Sequence, residues 1–228
     1  GMLIGAEALV RWQHPVKGMI PPFKFIHIAE NCGQIIPLGE MVLLTACKQA
    51  KQWQEKGYEI GRIAVNVSGQ QIQRSDFTAT VRNALKESQL DPRFLELEVT
   101  ETFIMQQADK GIQTLEKLRA LGLHLAIDDF GTGFSSLSQL HRVPFTELKI
   151  DRSFIANMSK EPESCAIVET WIMLGHKLNM EVVAEGIENH KTSKLLKQLG
   201  CDIGQGYHIA KPMNAVKLFE WAKSSDVA

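Results

Sequence analysis

One pattern constrains this chain more than any other. Short apolar or alternating runs recur at intervals filled by amphipathic stretches, and each run carries a polar or charged residue at or near its C-terminal end. The runs are Leu3 to Arg11, Arg62 to Val67, Leu95 to Val99, His124 to Asp128, Glu147 to Asp151, Glu181 to Ala184 and Cys201 to Gln205. Their length and alternation predict strands. Between them Leu38, Val42, Cys47, Ala50 and Trp53 mark one helical stripe, and Ile112, Leu115, Leu118 and Leu121 mark another. Gly57, Gly122 and Gly200 stand where a left-handed residue would close a helix. Strand and helix in alternation predict a parallel sheet, either open and doubly wound or closed as a barrel.

The strand ends decide between the two. Glu7 with Arg11, Asn66, Glu98, Asp128 with Asp129, Lys149 with Asp151, Glu185, and Gln205 all fall where a buried strand should carry no such group. In a β/α barrel those ends converge on one rim, whereas an open sheet concentrates function at a single crevice. Contributions from every strand predict a TIM-like (β/α)8 barrel. Period-two alternation supports it: Leu95, Leu97 and Val99 share one face and Glu96 and Glu98 the other, while Lys149 and Asp151 share a face opposite Leu148 and Ile150. Such a barrel needs eight strands, one more than the runs supply, so its first strand is expected to precede Gly1. At 228 residues, 44% of them hydrophobic, the chain holds one substantial core, and residues 1–228 are expected to form a single domain.

Composition removes several function classes. Lysine and arginine number 25 and aspartate and glutamate 26, so the net charge of −1 offers no broad field for polymeric nucleic acid or an anionic membrane surface. No apolar run approaches the ~18 residues that cross a bilayer, and Met2-Leu3-Ile4 lacks the basic flank of a signal peptide. Cys32, Cys47, Cys165 and Cys201 form no C-x-x-C pair and read as reduced core residues. A cytoplasmic domain is expected, including the case of the cytosolic part of a membrane-anchored protein.

The inward polar groups amount to four carboxylates at the strand ends (Glu7, Glu98, Asp128, Glu185), two beside them (Asp129, Asp151), one amide (Asn66) and one ammonium (Lys149). Oxygen-only donor sets suit hard cations such as Mg2+ or Mn2+, and no histidine stands at i,i+4 from another. The adjacent Asp128 and Asp129 invite a two-metal arrangement that lowers the pKa of a water, which would then be the nucleophile. A lysine close to that water and an arginine at the rim, Arg11, suit in-line attack on a phosphodiester. A single pair such as Lys149 with Asp151 reads as an ordinary strand-end ion pair, but a whole rim of acids has no structural need.

These residues carry a resemblance. Glu7-Ala8-Leu9 followed by Arg11-Trp12, then Asn66-Val67-Ser68, Glu98-Val99-Thr100-Glu101, Asp128-Asp129-Phe130-Gly131-Thr132-Gly133-Phe134-Ser135-Ser136-Leu137, Leu148-Lys149-Ile150-Asp151, Glu185-Gly186-Ile187-Glu188 and Gln205-Gly206-Tyr207 stand in one order. In that order they resemble the EAL domain, the bacterial family that hydrolyses cyclic di-GMP to linear pGpG. The resemblance runs from the first residues past Pro212.

It implies that Glu7, Asn66, Glu98, Asp128, Asp129 and Glu185 hold two Mg2+ or Mn2+ ions, with Gln205 bonded to a metal-bound water. It implies that Lys149 contacts or deprotonates the attacking water with Asp151 orienting it, that Arg11 meets a substrate phosphate with Leu9 beside the substrate, and that Glu101 supports the loop of Gly131, Thr132, Gly133 and Ser135. The family further implies cyclic di-GMP as ligand, a homodimer, and upstream sensor or GGDEF domains in a longer protein. Relatives that have lost catalytic residues act as receptors, which makes an inactive cyclic di-GMP receptor the rival reading. Two departures stand out: Phe23 occupies a position usually held by glycine or a polar residue, and His208-Ile209 precedes Lys211-Pro212 where an aromatic is frequent.

Overall fold

The structure, a computed structural model, describes residues 2–58, 60–74, 76–105, 109–133, 140 and 143–224. In chain order the elements are β1 (Gly5–Ala8), β2 (Trp12–His14), β3 (Gly18–Ile20), α1 (Ile26–Asn31), α2 (Ile35–Glu55), β4 (Arg62–Asn66), α3 (Gly69–Gln73), α4 (Phe77–Ser88), β5 (Leu95–Thr100), α5 (Glu101–Met105) and α6 (Asp109–Arg119). They continue with β6 (His124–Phe130), β7 (Glu147–Ile150), α7 (Arg152–Asn157), α8 (Pro162–Lys177), β8 (Glu181–Ala184), α9 (His190–Gln198), β9 (Ile203–Gly204) and α10 (Ala215–Ser224). Each of the seven expected runs contains a strand. The first is shorter than its sequence signal, because a two-stranded antiparallel ribbon, β2 with β3, follows β1 directly.

The chain forms two compact units, Gly1–Glu98 with Asp109–Leu123 and Asn214–Ala228, and Val99–Ala108 with His124–Met213. In the first, β1, β4 and β5 are parallel, with Glu7 in register with Ala64 and Asn66 with Glu98. Strand β5 is buried on both faces: Leu95, Leu97 and Val99 are core residues, and Glu96 and Glu98 are buried on the other side. The buried Glu96 carboxylate lies 3.3 Å from Arg62. Helix α2 turns Ile35, Leu43, Ala46, Cys47, Ala50 and Trp53 inward, at the spacing of a single helical stripe. It packs on α4, and α6 packs on α3 and α4 through Ile112, Leu115 and Leu118. Burying each of these large apolar side chains contributes about 1.5–3 kcal/mol, which outweighs the weak intrinsic helix preference of so short an element as α3.

Helix α3 begins with a capping box. The Ser68 hydroxyl accepts from the Gln70 amide at 3.2 Å, and the Gln71 side chain accepts from the Ser68 amide at 3.1 Å. That box fixes the chain two residues beyond Asn66. Ser68→Ala is expected to lower unfolding stability by about 1 kcal/mol, read as a fall in the denaturant midpoint with an unchanged slope.

In the second unit β6, β7, β8 and β9 are parallel, with Leu148 in register with Val182 and Ala184 with Gly204. Their central residues Leu125, Ala126, Ile127, Leu148, Ile150, Val182 and Ala184 are buried. The three glycines expected to close helices do so, with φ of 79° at Gly57, 95° at Gly122 and 81° at Gly200. No helix among the described residues is long and apolar enough to cross a membrane.

Candidate active site

In the first unit the polar ends of β1, β4 and β5 stand side by side. Asn66 donates from Nδ2 to Glu7 Oε1 at 2.6 Å, and its register partner is Glu98, whose carbonyl accepts from the Val67 amide at 2.9 Å. The contact with Glu7 sets the amide's direction. A carboxylate only accepts, so the NH2 group must face it, and Oδ1, the one atom of the amide able to bind a cation, is left for another partner. Glu98 is 2% exposed, so its charge is withdrawn from water. Leu9 and Arg11 lie beyond β1 on exposed backbone, and the Arg11 guanidinium donates to the Val10 carbonyl at 2.9 Å.

In the second unit the site is made by a break in pairing. Ile127 pairs with Leu148 and Phe130 with Ile150, so Asp128 and Asp129 together stand against Lys149. This is a bulge, and Asp129 makes it by adopting φ of 55°, a left-handed backbone that aspartate tolerates better than most residues. Consecutive side chains of an unbroken strand leave on opposite faces. The bulge re-aims one of them, and ligand oxygens of Asp128, Asp129 and Glu185 lie within 4.8 Å of one another. Asp129 is held further by its amide on Asp128 Oδ1 at 2.9 Å and by the Thr132 hydroxyl, which donates to its carbonyl at 2.8 Å.

Lys149 is only 2% exposed, with Nζ 2.7 Å from Glu185 Oε1 and 3.6 Å from Asp128 Oδ1. One ammonium does not offset three converging carboxylates. Burial, then the charges of Asp128 and Asp151, push the Asp129 carboxyl above the usual carboxylate range, while Lys149 and Arg152 pull it the other way. The donor set is oxygen only and carries surplus negative charge, which fits a hard divalent cation.

The loop after β6 hangs from Glu101. This carboxylate, 0% exposed, accepts from the amides of Gly131 at 2.9 Å and Gly133 at 3.1 Å, both at Oε2. Gly131 has φ of 100°, and a Cβ there would lie 2.1 Å from the Trp171 ring, so no other residue fits. Trp171 is fixed edge-on by Phe130 and Phe154, with centroids at 5.5 and 4.5 Å. Nothing local announces this tryptophan. It comes from α8, and only the fold places it under the loop. Ser135 lies outside the described residues.

Asp151 stands one residue past β7, which ends at Ile150, and its amide still donates to the Phe130 carbonyl at 3.4 Å. It is the N-cap of α7, accepting from the Ser153 amide at 3.0 Å and from the Ser153 hydroxyl. The Asp-x-Ser spacing is the sequence signal of that cap. Gln205 follows β9, and its backbone amide donates to the Ala184 carbonyl at 2.9 Å, which sets it next to the segment bearing Glu185.

The profile of the EAL domain family matches residues 1–212. The chain belongs to that family, and its fold class is the family's TIM-like α/β barrel. It is 44% identical over 218 residues to the bifunctional diguanylate cyclase/cyclic di-GMP phosphodiesterase MucR of Pseudomonas aeruginosa, covering 96% of this chain and 32% of that protein. It is 37% identical over 223 residues to the cyclic di-GMP phosphodiesterase PdeR of Escherichia coli, covering 98% of this chain and 34% of that one. A solved structure of the PaMucR phosphodiesterase in complex with c-di-GMP superposes with a TM-score of 0.91 at 45% identity, over 94% of this chain and 87% of that chain. The chain thus spans about a third of the length of the curated relatives it matches.

Proposed function

We propose that this chain hydrolyses cyclic di-GMP to linear 5′-pGpG. The observation that carries this reading is the convergence of Asp128, Asp129 and Glu185 around the buried Lys149 ammonium. The names of the relatives above supply the substrate. Two divalent ions, Mg2+ or Mn2+, are proposed to be held by Glu7, Asn66, Glu98, Asp128, Asp129 and Glu185, with Gln205 acting through a water. When bound, such ions acidify a water and offset the charge of a phosphodiester.

The chain's own residues do the rest. Water adds across one P–O3′ bond, leaving a 5′-phosphate and a free 3′-hydroxyl. Lys149 Nζ holds the attacking water beside the carboxylates, and Arg11 takes a phosphate oxygen of the substrate, with Leu9 packing alongside. Asp151 supports this arrangement from the start of α7. Residues 1–228 work as one phosphodiesterase domain in the cytoplasm, as a homodimer, joined to a sensor or GGDEF segment in the longer protein.

The test is product analysis. The purified chain with Mg2+ or Mn2+ is expected to convert cyclic di-GMP to pGpG, to stop when EDTA is added, and to resume when the metal is restored. Binding of cyclic di-GMP without any pGpG in either metal would replace this reading with that of a receptor.

A further inference from the structure

The start of α7 carries a cation that hydrolysis as described leaves unused. Arg152 is the first residue of that helix, directly after the cap Asp151. An exposed arginine is ordinarily a solvated surface charge, but this position does not suit one, because the N-terminal end of a helix disfavours cations. The backbone here is also held on two sides. The Asp151 amide donates to the Phe130 carbonyl at 3.4 Å, and the Glu185 amide donates to the Ile150 carbonyl at 3.2 Å. Gly186 has φ of 71°, and a Cβ there would lie 2.4 Å from the Arg152 Cβ. Arg152 is therefore wedged between the segment that follows Asp129 and the segment that follows Glu185, two of the three carboxylates that converge.

The charges around it say what such a side chain can do. A phosphodiester brought to Asp128, Asp129 and Glu185 adds a negative charge to three carboxylates. Lys149 is 2% exposed and already engaged, with Nζ 2.7 Å from Glu185 and 3.6 Å from Asp128. Arg152 is exposed, and among the described residues no carboxylate lies within ion-pairing distance of it. Its field still reaches Asp129, whose carboxyl it draws downward. A guanidinium is always charged, and its planar fork of N–H groups matches the oxygens of a single phosphate. A neutral base or ribose would leave that charge unused.

We infer that Arg152 holds a non-bridging oxygen of the phosphodiester seated at the carboxylate cluster, as a second phosphate contact besides Arg11. This rests on the phosphodiesterase reading for the identity of the ligand, but not for its own test. The grip of Gly186 on the Arg152 backbone then has a function, since it aims the side chain from the same segment that carries Glu185.

The test compares calorimetric affinity for cyclic di-GMP in a Lys149→Met background with Mg2+, which takes cleavage out of the measurement. Adding Arg152→Gln is expected to weaken binding about thirtyfold in dilute salt, the loss of a charged hydrogen bond, while Arg152→Lys stays within about fivefold because it keeps the charge. The gap between the Arg152 and Arg152→Gln proteins is expected to narrow to about fivefold or less in about 0.5 M NaCl, as screening requires. Mn2+ affinity without nucleotide is expected to hold or rise in Arg152→Gln, which removes a cation near Asp129. Equal affinity of the two proteins for cyclic di-GMP overturns the inference, as does a gap indifferent to salt, and a fall in Mn2+ affinity would reassign Arg152 to holding the carboxylates. Failure of the phosphodiesterase reading shows separately, as absence of pGpG from the chain with Lys149 intact, and leaves the calorimetric comparison standing. A Lys149→Met chain that binds no cyclic di-GMP at all overturns both.

Discussion

Lys149→Met is expected to lower kcat for cyclic di-GMP about a thousandfold, within the range that one positioned proton-handling or charge-stabilising group supplies. The substitution keeps the volume of a side chain that is almost wholly buried and removes only the ammonium. What is left is Glu185 and Asp128, which lie at 2.7 and 3.6 Å from Nζ in the parent, facing each other and Asp129 without their internal cation. Breaking a buried pair by deleting one partner costs about 3 kcal/mol of stability. A divalent ion bound to the same carboxylates opposes that loss, since whatever binds only the folded state stabilises it. The Tm deficit of the variant is therefore expected to be large in EDTA and small in Mg2+. A variant that turns over within tenfold of the parent would remove Lys149 from the reaction, and a Tm deficit indifferent to metal would remove the carboxylates from metal binding.

The strand ends were legible because burial imposes a rule that these residues break. Glu98 sits on a strand whose residues from Leu95 to Val99 are all buried, where an acid stands out. The closing glycines of α2, α6 and α9 were legible for the same kind of reason, since a left-handed residue past a helical stripe has few alternatives to glycine. That the adjacent Asp128 and Asp129 act together was legible, but the backbone device that brings them together was not. Simple alternation sends adjacent side chains to opposite faces, and the bulge that reverses this exists only in the pairing with Lys149 some twenty residues on. The β2–β3 ribbon escaped because three-residue strands around Pro15-Val16-Lys17 give too short a pattern to separate from a loop. The cap that Asp151 makes depends on Ser153, whose amide and hydroxyl both bind its carboxylate, a pairing that strand alternation does not signal.

Glu101→Ala is expected to release the loop that begins at Gly131 without touching any of the carboxylates at the cluster. The wild-type carboxylate is wholly buried and gathers two backbone amides on one oxygen. Alanine offers neither acceptor, so the Gly131 and Gly133 amides must find water or remain unsatisfied, at a cost of about 1.5–3 kcal/mol for each charged bond lost. That energy acts locally. Amide exchange at Gly131 and Gly133 should speed up by about two orders of magnitude or more, while the core strands β7 and β8 keep their protection. Because Asp129 holds its strained φ of 55° next to this loop, with its carbonyl tied to Thr132, the release reaches the carboxylate geometry, and kcat is expected to fall about a hundredfold. Glu101→Gln separates the two ways the residue can act. Its amide oxygen can take the same two N–H groups without the charge, so a variant that keeps exchange protection and recovers most of kcat assigns Glu101 to holding the loop. Protection kept with kcat still down a hundredfold would instead give the carboxylate charge a part of its own in the site.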